Sequence, residues 1–215
     1  DKLHIARRGH ALITTAAQEP EVLGLMRRMC AERGVELQVA GGEWVLGKLV
    51  GRSMTYGENA RLAQQAAGAL VGNLEDEAVR KVVEGHRWPG RFEVAQDKPL
   101  VLLDGAHNPA SAQVLASDLQ RLSAEWVLVV GAGLGHDAAG ILQALALVAQ
   151  RVVLTSSDHP RAMDAEDLQA LAPDGLAVEV VPASGPAFKR ALDLAGREGR
   201  VCVAGSLFLV ARARE

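Results

Sequence analysis

The sequence predicts an α/β protein whose larger part is a doubly wound domain. Two observations carry that expectation. Near-continuous apolar runs recur at LVLLD (100–104), WVLVVG (126–131), RVVLT (151–155), LAVEVV (176–181) and RVCVAG (200–205). Helical patterns at 109–122, 137–149, 164–171 and 185–197 separate them. Strands that read as unbroken Val/Leu runs are buried on both faces, as parallel strands covered by helices are.

The earlier part is less regular. ALITTA (11–16) reads as a short strand, and 19–33 as a helix with Val22, Leu23, Leu25, Met26 and Met29 on one face. VELQVA (35–40) alternates as a strand does, and GGEWVLGKLVG (41–51) has the look of a hairpin bounded by glycines. Helical spacing returns at 58–71 and 75–84, where Leu74, Ala78, Val82 and Val83 recur. HRWPGRFEV (86–94) breaks the helical texture with a Pro-Gly pair, and the composition changes after it.

The chain has 215 residues, 49% hydrophobic and 23% charged, which suits a folded chain with an aliphatic core. A formal charge of -3 and scattered Lys and Arg give no electrostatic case for nucleic acid or an anionic membrane surface. No apolar run approaches the roughly 20 residues of a membrane helix. Cys30 and Cys202 are far apart, each beside apolar residues, and read as buried thiols of a reducing cytoplasm.

Chemistry concentrates in LLDGAHNPASAQVLASDLQRL (102–122). Gly105 permits a tight turn, Asn108 suits an N-cap, and Pro109 suits the first helical position, where its missing N–H costs nothing. Ala112, Leu115, Ala116, Leu119 and Leu122 form an apolar stripe. Asp104 and His107 are left over. They sit beyond the carboxyl end of a strand, where open α/β sheets bind ligands; turn construction is the competing account of both.

LDGAHNP resembles the signature of the folylpolyglutamate synthases and related dihydrofolate synthases, ATP-dependent amide ligases of Mur-ligase architecture. WPGR (88–91), LTSSDHPRAMDAEDL (154–168), VAGSLFLV (203–210) and the opening DKLHIARRGHALIT are similar to further segments of that family, in the same order. The resemblance implies that 1–87 is the C-terminal part of a central ATP-binding domain and 88–92 an interdomain linker. Residues 93–215 would then be a Mur-ligase-type, Rossmann-like C-terminal domain with a mostly parallel sheet, which holds glutamate. It further implies that a phosphate-binding loop lies outside this chain, which has no G-x-x-x-x-G-K-[ST]. The chain alone is therefore expected to turn nothing over.

By position, the resemblance gives Asn59 a contact to the adenine, Arg91 the ATP phosphates and Asp104 the ribose. It places His107 and Ser206 at the incoming glutamate, and makes Lys2 a carbamylated lysine that helps hold a magnesium ion. Plain alternatives stand beside these roles: a helix residue for Asn59, a solvated charge for Arg91, an N-cap for Ser206, a frayed end for Lys2. The sequence departs from the family before Asn59, where Pro-Gly-x-His-Gln is missing, after Lys2, and at Ala138, where a Lys is usual. In SSDHPRA, His159 and Arg161 could meet an anionic substrate.

The implied reaction joins L-glutamate to a folate, or to dihydropteroate, through an acyl phosphate made from ATP. The implied setting is a cytoplasmic monomer acting on small molecules. Rival readings are a cell-wall Mur-type amino-acid ligase and a noncatalytic Rossmann-like binding module.

Overall fold

A computed structural model of the chain describes residues 5–41, 53, 55–72, 74–122 and 125–215. It divides into two compact units, the first ending at His86 and the second running from Arg87 to Glu215.

In the first unit, β1 (Ala11–Thr15) and β2 (Glu36–Ala40) pair in parallel, Ala11 opposite Glu36 and Thr15 opposite Ala40. Parallel neighbours need a crossover, and α1 (Pro20–Arg33) supplies it. Pro20 opens the helix, and Gly34, at φ 65°, closes it in the left-handed conformation with its N–H on the Ala31 carbonyl. The next helix, α2 (Thr55–Val71), packs on β1 and β2. The Tyr56 hydroxyl ties it to α3 (Asp76–Gly85) by donating to the Val83 carbonyl at 2.9 Å. Helical spacing in α3 does not translate into burial: none of its residues is buried, and Val82 is 70% exposed. The hairpin expected at 41–51 lies, Gly41 apart, outside the described residues, as does Lys2.

The second unit is a six-stranded sheet in the order β3 (Glu93–Asp97), β4 (Leu100–Leu103), β8 (Arg200–Ala204), β5 (Trp126–Val130), β6 (Ala149–Ser156), β7 (Val178–Ala183). All neighbours are parallel except β3, which runs antiparallel to β4 at the edge. The doubly wound expectation holds. Leu102, Leu128, Val130 and Cys202 face one side, with α4 (Pro109–Leu122), α5 (Ala138–Ala146) and α6 (Ala165–Ala170). Leu103, Val127, Val129 and Val203 face the other, with α7 (Ser184–Ala195) and α8 (Leu207–Ala213). Period-two alternation thus sends consecutive apolar residues into two separate cores. Trp126 is fully buried, its indole N–H satisfied by the Leu119 carbonyl at 3.1 Å.

The edge strand β3 was invisible as a strand because only Glu93 of its five residues is even half-buried. An exposed edge needs no apolar pattern to exist.

Candidate functional site

Adjacent strands β4 and β8 send their following helices to opposite faces, α4 to one and α8 to the other. Such a switch point opens a crevice at the strands' carboxyl ends. The loops after β4, β8, β5 and β6 line a cleft there of about 230 Å³, which includes His107, His136, Ser157, His159, Arg161 and Ser206.

The floor is built from backbone packed too closely for side chains. Gly205 sits at φ 95°, and a Cβ there would overlap the Gly131 carbonyl oxygen. Its N–H donates to Ala106 at 2.8 Å, joining the β8 and β4 loops. Gly105 answers a different need from the one its sequence suggested. Its φ is not positive; instead, a Cβ would collide with the Leu207 side chain.

Asp104 follows β4 directly and is half-buried, with both oxygens engaged. Oδ2 accepts from the Phe92 N–H and Oδ1 from the Ala106 N–H, each at 2.8 Å. Burial raises its carboxyl above the usual 3.8; those two N–H groups and the Arg91 charge oppose the rise, and Asp118 adds to it. Phe92 is held at φ 47°, left-handed backbone that costs a non-glycine residue about 1–3 kcal/mol. Its ring is buried, so packing and the Asp104 bond together impose that geometry on the residue after Arg91. Arg91 itself is exposed, with its N–H on the Trp88 carbonyl at 3.2 Å.

His107 Nδ1 lies 2.9 Å from the Gly105 carbonyl. A carbonyl only accepts, so the bond assigns the proton to Nδ1 and leaves Nε2, in the neutral ring, with a lone pair. The ring meets His136 edge to face, centroids 5.4 Å apart. Next to it Asn108 caps α4: its Oδ1 accepts from the Ser111 N–H at 2.9 Å, and the Ser111 hydroxyl accepts from the His107 and Asn108 N–H groups. Ser206 occupies the N-cap position of α8, but its hydroxyl makes no capping bond, so the cap account of that side chain does not hold. Asp137, beside His136, does cap, accepting from the Gly140 N–H at 2.8 Å.

Of the residues singled out in the sequence, His107, Ser206, His159 and Arg161 line the cleft, while Asp104 and Arg91 lie close to each other beside Gly105, at the same end of the sheet. Asn59 lies in the other unit, exposed and one turn into α2, which begins at Thr55 rather than beside it. Ser157 and Phe208 were missed. The serine carried a usable signal, since it follows β6 at a carboxyl end; Phe208 read simply as the apolar start of a helix.

Residues 90–207 match the family model described as Mur ligase, glutamate ligase domain. A probable bifunctional folylpolyglutamate synthase/dihydropteroate synthase of Halobacterium salinarum is 31% identical over 243 aligned residues, covering 100% of this chain and 29% of that protein. The solved structure of Escherichia coli FolC in complex with DHPP and ADP superposes with a TM-score of 0.82 at 26% identity, covering 99% of this chain and 54% of that one. The Yersinia pestis bifunctional folylpolyglutamate synthase/dihydrofolate synthase, solved with AMPPNP and a Mn ion, gives 0.82 at 25%, with 99% and 54% covered. The chain thus spans about half or less of the length of these proteins.

Proposed function

Since the chain belongs to the family of Mur ligase glutamate ligase domains, we propose that the whole protein is an ATP-dependent amide ligase that adds L-glutamate to folate. The names of the relatives and the nucleotides in the solved structures support that substrate class. The observation that carries it is the placement of His107 and Ser206 in the cleft where β4 and β8 diverge, with Asp104 and Arg91 beside Gly105 at the same end of the sheet. We extend the proposal to the domain division at 88–92, with glutamate held by 93–215.

In this reading the folate carboxylate attacks the terminal phosphorus of ATP, ADP leaves, and an acyl phosphate remains. The amine of glutamate then attacks the acyl carbon and phosphate departs, leaving the amide. Arg91 would bind phosphate oxygens with its planar fork. Asp104, with one lone pair left on each oxygen after its two amide bonds, would accept from the ribose hydroxyls. His107 Nε2 would take a proton from the incoming ammonium, freeing the amine lone pair for attack, and the Ser206 hydroxyl, which makes no capping bond, would help seat the amino acid. Positioning of three reactants does the rest.

Asn59 is proposed as an adenine contact. Magnesium would accompany ATP and neutralise its phosphates; among the described residues there is no group of three or more His, Cys, Asp or Glu suited to a metal ion. No described helix is long and apolar enough to cross a membrane. A cytoplasmic monomer working on small molecules completes the proposal.

The test is ADP release by the full-length protein. It should require both a folate substrate and L-glutamate, and Arg91→Ala should lower kcat/KM for ATP by about 10-fold to 100-fold. ADP release indifferent to L-glutamate would overturn the reading.

A further inference from the structure

The loop after β6 carries His159 into the cleft and is fastened on two sides. On one side, Gly133 bridges Ala162, the Leu134 N–H donates to the Arg161 carbonyl at 2.8 Å, and the Met163 N–H donates to Ala132 at 2.9 Å. On the other stands α8. Phe208 stacks on the His159 ring, centroids 3.9 Å apart and planes 21° off parallel. One helical turn on, Arg212 pairs with Asp158 at 3.0 Å. Residues four apart share a helix face, so one face of α8 grips two consecutive loop residues.

That grip has a chemical consequence. The Arg161 N–H donates to His159 Nδ1 at 3.1 Å. Accepting there requires an unprotonated Nδ1, so the ring proton of neutral His159 belongs to Nε2. His107, across the cleft, has the opposite arrangement, with its proton committed to Gly105. The two imidazoles therefore offer one acceptor and one donor to the same space. An amino acid brings the complement, an ammonium that donates and a carboxylate that accepts.

We propose that Phe208 is a positioning residue that fixes His159 with Nε2–H as the hydrogen-bond donor to a carboxylate of the incoming amino acid. The inference rests on the cleft being the amino-acid site. Stacking holds the ring plane, the Arg161 N–H selects the tautomer, and the Asp158–Arg212 pair limits drift of the loop. Phe208 need not touch the ligand.

L-Glutamate titrated into the 215-residue chain, followed by long-range proton–nitrogen NMR of the histidine rings, tests it. Wild-type His159 should show the Nε2–H pattern and respond to L-glutamate. His159→Phe, which keeps a ring against Phe208 but has no donor, should weaken binding about 10-fold or more, as loss of a charge-assisted bond does. His159→Gln, which restores an N–H donor, should stay within about threefold. Phe208→Leu should mix the His159 tautomers and weaken binding while the thermal melt stays cooperative. Wild-type affinity in His159→Phe, or an unchanged tautomer in Phe208→Leu, would overturn this inference and leave the amino-acid cleft standing. No response of either His107 or His159 to L-glutamate would overturn the cleft assignment itself, and this inference with it.

Discussion

Asp104 does two jobs that pull in different directions. It is the residue offered to the ribose, and it is also what two loop N–H groups bond to, one of them on a strained Phe92. Asp104→Asn should cost about 1–3 kcal/mol of stability, because an amide NH2 cannot accept from an N–H. The pH dependence has a definite sign. With the folded carboxyl above the ordinary 3.8, the folded state holds the proton more tightly than the unfolded state. Its contribution is therefore fully present below 3.8 and is lost as pH rises through the folded value. The stability gap between wild type and Asp104→Asn should narrow as pH rises above 3.8, read by urea denaturation from acid to neutral pH. A gap that widens would refute it. Sequence made Asp104 visible as a carboxylate at a strand end, but turn construction accounted for it equally well, and the resemblance to the ligase family was what gave it a ligand. Sequence could not reveal Phe92 as the partner of Asp104, because that bond spans a hairpin whose edge strand has no pattern.

At the scale of elements, legibility followed burial. The helix at 109–122 was predicted to the residue, because Asn108, Pro109 and the Ala/Leu stripe all point the same way. Asn108→Ala should cost about 1 kcal/mol, checked by thermal melting; an unchanged melt would show that the Ser111 hydroxyl suffices as cap. The buried strands were equally plain, each an unbroken run between turn residues. What escaped was whatever acts through geometry rather than pattern. The α8 grip on the β6 loop needs Phe208 and Arg212 one turn apart, opposite Asp158 and His159, some 50 positions earlier in the chain. No local signal links those two stretches. Spacing in α3 misled in the other direction, since an apolar stripe reports a capacity to be buried and not burial itself.

Taken as a whole, the second unit carries two complete cores, one on each face of its sheet. Residues 87–215 expressed alone should therefore unfold in one cooperative transition, with circular dichroism and the fluorescence of buried Trp126, read in a Trp88→Phe background, coinciding. Separated transitions would mean that the sheet depends on the first unit. Motif spacing made the order of elements legible, but strand order in space was beyond it. Nothing in RVCVAG tells that it lies between two strands that precede it by about 70 and 100 residues.

That central place of β8 sets a schedule for biosynthesis. While β4 to β7 have left the ribosome and residues 200–204 have not, the sheet has a gap between β4 and β5, each with an unpaired edge. Open edges of apolar strands are sites of wrong pairing. The unit is thus committed to waiting, and a chaperone that shields Val127–Val130 during that interval would act at the step where the nascent chain is most exposed to error.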